Sequence, residues 1–226
     1  NIKHLQEIEM ISDLNKHRFE YIWHLYSNNI SDTDLPFHKH VKCDPSVWQF
    51  PEHLVEYHRL IFGLGYTSLK DKKVLDIGCG ISWYLGSMEN IVKKYIGVDT
   101  NERRIKYAKI MSKIVDIDTD INVLPAEAVS CKVDTIMMLS VAHQIPKVKD
   151  IFEKFDCENI ILDCWEEKNN ISVNDLIGYL EDKGFTTIEK QLYDYADKKD
   201  QGKGQDFEGD RYILHFNRQA KQTTVT

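Results

Sequence analysis

The sequence predicts an α/β protein, with a mostly parallel sheet covered by helices on both faces. Three observations predict it. Lys73-Val74-Leu75-Asp76-Ile77 is a short, largely apolar run that suits a strand buried on both sides, and it leads into a glycine-rich turn. Lys94-Tyr95-Ile96-Gly97-Val98 is a second such run, ending in Asp99. Strand-like and helix-like stretches then alternate to the end of the chain, and their crossovers call for parallel neighbours.

Taken in order, the chain opens with Leu5, Ile8, Ile11, Leu14, Phe19, Ile22, Trp23 and Tyr26 at steps of three and four, the period of one or two amphipathic helices. Ser27 to Asp34 carries the turn-forming side chains of a loop, which Leu35-Pro36 prolongs. Residues 36–66 are dense in rings, among them Phe37, His38, His40, Trp48, Phe50, His53, Tyr57, His58, Phe62 and Tyr66. Pro51 is placed to open a helix that turns Leu54, Leu60, Ile61 and Leu64 inward and ends at Gly63 and Gly65. Those rings either pack the N-terminal helices onto the sheet or face a ligand.

After the first strand, Gly78 and Gly80 allow a sharp turn with bare backbone, and Trp83 to Met88 starts a helix facing the same place. A dinucleotide fingerprint would need its third glycine at Trp83, where an indole blocks close helix-to-strand packing, so NAD is disfavoured. Asp99 follows the glycines by roughly twenty residues, the spacing at which a carboxylate on the neighbouring strand tip accepts from ribose hydroxyls. The alternative is a surface aspartate that caps the helix starting near Asn101.

Asn101 to Ile114 reads as that helix, with Ile105, Ala108, Ile110 and Met111 for packing. Ile121 to Leu124 is a third strand with Pro125-Ala126-Glu127 at its tip, and Val133 to Leu139 a fourth, continued by Ser140 to Ile145. Glu158 to Asp163 gives the fifth strand, Ser172 to Lys183 a helix ended by Gly184, and Phe185 to Leu192 with Arg211 to Phe216 a closing pair. Asp197 to Asp210 reads as a mobile loop and Gln219 to Thr226 as a disordered tail.

Asp76, Gly78, Gly80 and Ser82 together resemble motif I of the class I, Rossmann-like S-adenosylmethionine-dependent methyltransferases, an acidic residue then G-x-G-x-G, with Ser82 in place of the last glycine. The resemblance covers residues 71–216. It implies a seven-stranded sheet, mostly parallel with the last strand antiparallel, over a core of residues 67–218, with residues 1–66 as an N-terminal helical lid and acceptor-binding segment. It implies S-adenosylmethionine as cofactor and S-adenosylhomocysteine as product. Asp76, Gly78, Cys79, Gly80, Ser82 and Trp83 then form the donor turn, Asp99 and Thr100 meet the ribose, and Ser140 is a further donor contact. At the adenine, the resembling family often has an acidic residue where this chain has Pro125, so either backbone around Ala126 or the Glu127 side chain makes that contact.

Ser140 to Ile145 is similar to the family's segment near the donor methyl, which makes His143 the first choice for a general base, since an imidazole can accept a proton at neutral pH. The alternative is a histidine that only shapes the pocket. His53, Tyr57 and His58 of the lid are reserves. Trp83 and Trp165 suit either a sulfonium contact or the core.

Asp163 suggests the magnesium-dependent branch of the family, but Ser140 stands where that branch has its aspartate, and metal-independent transfer is expected. His38, His40 and Cys43 lack a matched fourth ligand. The five cysteines are odd in number without paired C-x-x-C spacing, which argues for a reducing cytoplasm rather than disulfides.

No apolar run approaches the ~20 residues of a membrane span. The net charge of -7, from 36 acidic and 29 basic residues with the basic ones scattered, lacks the stripe that nucleic-acid binding uses. The expected acceptor is a small polar metabolite, methylated on oxygen before nitrogen. An RNA or protein methyltransferase, a catalytically silent interaction module, and a homodimer stay open.

Overall fold

Seven strands make one sheet: β1 (Lys73–Ile77), β2 (Lys94–Asp99), β3 (Thr119–Val123), β4 (Thr135–Met138), β5 (Asn159–Trp165), β6 (Phe185–Tyr193) and β7 (Arg211–Arg218). Their order is β3-β2-β1-β4-β5-β7-β6. The first five pair in parallel, and β7 runs antiparallel to both β5 and β6. This is the predicted Rossmann-like sheet with its last strand reversed. The computed structural model describes residues 67–139, 141–145, 147–165, 172–193 and 211–218, without the side chains of Trp83, His143, Trp165 and Tyr193. The expected N-terminal helices and lid, with His38, His40, Cys43, His53, Tyr57 and His58, lie outside the described residues, as do Ser140, the loop and the tail.

Along the central strands β1, β2, β4 and β5 both faces of the sheet are buried, as parallel strands require, whereas the edge strands β3 and β6 stay partly exposed. In β1 the side chains alternate: Val74 joins a core cluster with Leu69, Tyr95, Tyr107 and Met111, whereas Leu75 and Ile77 join another with Ile136, Phe152, Leu176 and Phe216. Helix α1 (Glu102–Ser112) contributes Ile105, Tyr107, Ala108, Ile110 and Met111 to the first cluster. Helices α2 (Val148–Glu153) and α3 (Val173–Asp182) feed the second. Caps fix the helix starts: Asn101 accepts from Arg104 N at 3.1 Å and Ser172 from Asp175 N at 3.3 Å. Gly184, at φ 84°, ends α3 in the left-handed conformation.

Several boundaries differ from the sequence reading because pairing extends strands beyond their apolar runs. β3 starts at Thr119, paired with Tyr95, and β5 runs on to Trp165, paired with Arg211. Trp83–Met88 is a 3-10 helix rather than an α-helix, and residues after β4 form another 3-10 turn, Ala142–Gln144, instead of more strand. α2 carries its packing in only Val148, Ile151 and Phe152, too short a pattern to stand out in the sequence.

Candidate functional site

The strand order reverses at β1, whose next neighbours in sequence lie on one side and β4 on the other, and this is where a parallel sheet opens a crevice. The turn leaving β1 lies there. Gly78 and Gly80 have φ 75° and φ 57°, conformations that L side chains resist. Gly78 N and Cys79 N donate to Val98 O at 2.8 and 3.0 Å, which fastens the turn to the end of β2. A Cβ on Gly78 would lie 2.7 Å from Val141 Cγ2, so the segment after β4 packs directly on the bare backbone. A Cβ on Gly80 would meet nothing within 4 Å, so open space adjoins that glycine.

Asp99 completes the crevice from the tip of β2. Its Oδ2 accepts from Gly80 N at 3.0 Å and its Oδ1 from Asn101 N at 2.8 Å. The carboxylate is buried, with Arg104 Nη1 3.9 Å away. The helix cap is therefore Asn101, and Asp99 braces the turn and the cap together. Thr100 is exposed beside it.

Beneath the turn lies a buried polar chain. Tyr95 Oη donates to Asp76 Oδ2 at 2.7 Å and is bonded to Ser82 Oγ at 3.1 Å, all three residues being buried. Ser82 occupies the left-handed region, φ 54° and ψ 41°. Burial pushes the Asp76 carboxyl up to about 7; the Tyr95 bond opposes that and the Asp99 charge adds to it. Burial, with the Asp76 charge behind it, also raises the Cys79 thiol far from thiolate character. Gly97 makes room for this arrangement, since a Cβ there would lie 2.8 Å from Tyr95 Cε1 and 3.1 Å from Cys79 Sγ.

At the tip of β3, Leu124 N donates to Asp99 O at 3.1 Å, and Ala126–Ala128 forms a 3-10 turn with Ala126 buried and Glu127 exposed. Lys154 Nζ donates to Glu127 O. His143 belongs to the Ala142–Gln144 turn, two residues after Val141. At the end of β5, Asp163 is held by the Arg211 guanidinium, which donates from Nε to Oδ1 at 2.7 Å and from Nη2 to Oδ2. Among the described residues no three His, Cys, Asp or Glu side chains gather as metal ligands.

The fold thus brings Asp76, Gly78, Cys79, Gly80, Ser82 and Asp99 into one cluster, with Ala126 and Glu127 at the neighbouring tip. Sequence reasoning missed Tyr95, Val141 and Arg104. Tyr95 had a signal: a phenol and a carboxylate in two otherwise apolar strands each need a buried partner.

Residues 75–156 match the family described as a methyltransferase domain. No curated protein matches the chain in sequence. Solved structures of similar fold include magnesium protoporphyrin IX methyltransferase from Synechocystis PCC 6803 with bound SAM, at 16% identity over 74% of this chain and 78% of that one, TM-score 0.55. The N-methyltransferase NodS from Bradyrhizobium japonicum WM9 aligns at 14% identity over 76% and 99%, TM-score 0.58. A tRNA methyltransferase of M. jannaschii aligns at 16% identity over 77% of this chain and 52% of that one, TM-score 0.56. At these identities the likeness is one of fold.

Proposed function

We propose, for a chain that carries a methyltransferase domain in the class I fold, that it transfers the methyl group of S-adenosylmethionine to an oxygen of a small polar metabolite, with nitrogen as second choice and no metal. The observation that carries this reading is the Asp99 Oδ2 to Gly80 N bond, which joins the glycine turn and the acidic strand tip into one receptor. The residues fit the donor: Gly80 offers backbone with open space beside it, and each Asp99 oxygen keeps a lone pair beyond its backbone donor for a ribose hydroxyl.

S-adenosylmethionine supplies an already electrophilic methyl sulfonium, so the chain's task is alignment and exclusion of water. In this reading the backbone from Gly78 to Trp83, with Cys79 and Ser82, receives the donor. Thr100 flanks the ribose, Ala126 and Glu127 meet the adenine, and Ser140 lies beside the methyl-bearing end. His143 takes the proton of a neutral hydroxyl acceptor, with His53, Tyr57 and His58 as alternatives; an anionic oxygen needs no base. Commitment of Asp163 to Arg211 supports transfer without magnesium.

The net charge of -7 supports a small acceptor over a polyanion. Likeness to a tRNA methyltransferase favours the second reading, RNA as acceptor. Incubation with methyl-labelled donor, in parallel with a small-metabolite extract and with total tRNA, separates them. Label in acid-soluble metabolites is the expected result. Label in RNA reverses the assignment, and donor binding without transfer to either, or to protein, points to a silent module.

A further inference from the structure

We propose that Tyr95 is a positioning residue for donor binding: anchored on Asp76, its hydroxyl tethers Ser82 in the left-handed conformation that shapes the glycine turn. The inference rests on the donor-binding reading above.

Ser82 stands where a motif of this kind has a glycine, and at φ 54° it holds a conformation that a side chain disfavours. Something must hold it there. Its hydroxyl is 3.1 Å from Tyr95 Oη, and Tyr95 Oη is 2.7 Å from Asp76 Oδ2. A phenol carries one proton; with that proton on Asp76, the serine hydroxyl supplies the second bond, and the chain runs Ser82 to Tyr95 to Asp76. All three side chains are buried, so each bond lies where an unmet partner is costly.

The route of the tyrosine is built into β2. Val74 pairs with Tyr95 and Asp76 with Gly97, so the ring must lean along its own strand to reach the carboxylate, over a residue without a Cβ. Gly97 is that residue, and a Cβ on it would intrude to 2.8 Å from the ring and 3.3 Å from its hydroxyl. Ser82 N is in turn bonded to Cys79 O at 2.8 Å, and Leu85 N to Ser82 O at 3.0 Å, so the backbone of Ser82 links the turn to the 3-10 helix behind it. The tether therefore sets the path of the segment from Cys79 to Trp83, whose amide at Gly80 is held from the other side by Asp99. A serine with an anchor replaces a glycine without one.

The test is titration of S-adenosylhomocysteine into the parent protein, Tyr95→Phe, Ser82→Ala, Ser82→Gly and the Tyr95→Phe/Ser82→Gly double variant, with thermal unfolding of each. Tyr95→Phe is expected to weaken binding about five- to tenfold in the parent but less than twofold in the Ser82→Gly background, because glycine needs no tether. Ser82→Ala, which keeps Tyr95 intact, is expected to weaken binding more than Ser82→Gly. A purely structural role for the ring would instead give the same loss in both backgrounds. Equal losses, or Ser82→Ala binding as well as Ser82→Gly, overturn the tether while leaving the donor assignment standing. Failure of the parent protein to bind S-adenosylhomocysteine overturns the donor assignment and the tether with it.

Discussion

Asp99 does two things with one carboxylate, accepting the amide of Gly80 and the amide of Asn101, and the proposed reading gives its remaining lone pairs to the ribose. Removing it loosens the turn and deletes the proposed ribose contact together. Asp99→Ala is expected to weaken donor binding by roughly 1.5 to 3 kcal/mol, about tenfold or more, the range of a charge-assisted hydrogen bond. Unchanged affinity for S-adenosylhomocysteine would contradict the assignment. Asp76 is a second buried carboxyl, one that the fold pushes up to about 7 chiefly by burial. A folded-state pKa above the unfolded one favours the protonated form, so this contribution to stability is full below pH about 4 and is lost as pH rises through about 7. Asp76→Asn keeps an acceptor for Tyr95 and is expected to flatten the fall in thermal stability between those limits. An identical pH profile for the variant would show that another group titrates.

At the level of elements, β2 organises the site: Val98 O receives two amides of the glycine turn, Tyr95 reaches under it, and Asp99 closes it. The fold was legible because buried parallel strands announce themselves as apolar runs, and because Gly78, Gly80 and Asp99 keep a spacing that few other arrangements require. The start of β3 was not, since a polar edge residue such as Thr119 joins a strand only through its partner. The role of Tyr95 was hidden for a related reason. In one dimension the phenol and the Asp76 carboxylate each ask for a buried partner; only the register of β1 against β2, with Gly97 opposite Asp76, shows that they meet. Gly97→Ala tests this element directly, since its Cβ would displace a fully buried ring from 2.8 Å. A loss of about 1 to 3 kcal/mol in stability is expected, as for other overpacked cores, read as a lower unfolding temperature. An unchanged temperature would mean that the ring yields freely.

For the whole molecule, the sheet order places the glycine turn, the β2 and β3 tips and the turn after β4 along one edge, where a doubly covered sheet leaves ligands their crevice. Among the described residues no helix is long and apolar enough to cross a membrane. A sheet of this kind also occurs in solved structures whose names specify a porphyrin, an N-methylation and a tRNA, so the fold by itself leaves the acceptor open. The claim everything else depends on is that this edge receives S-adenosylmethionine. Calorimetric titration of the full chain with S-adenosylmethionine, S-adenosylhomocysteine and NAD tests it most directly. Micromolar-range binding of the first two and none of NAD is the predicted result. Binding of NAD, or of none of the three, would contradict it.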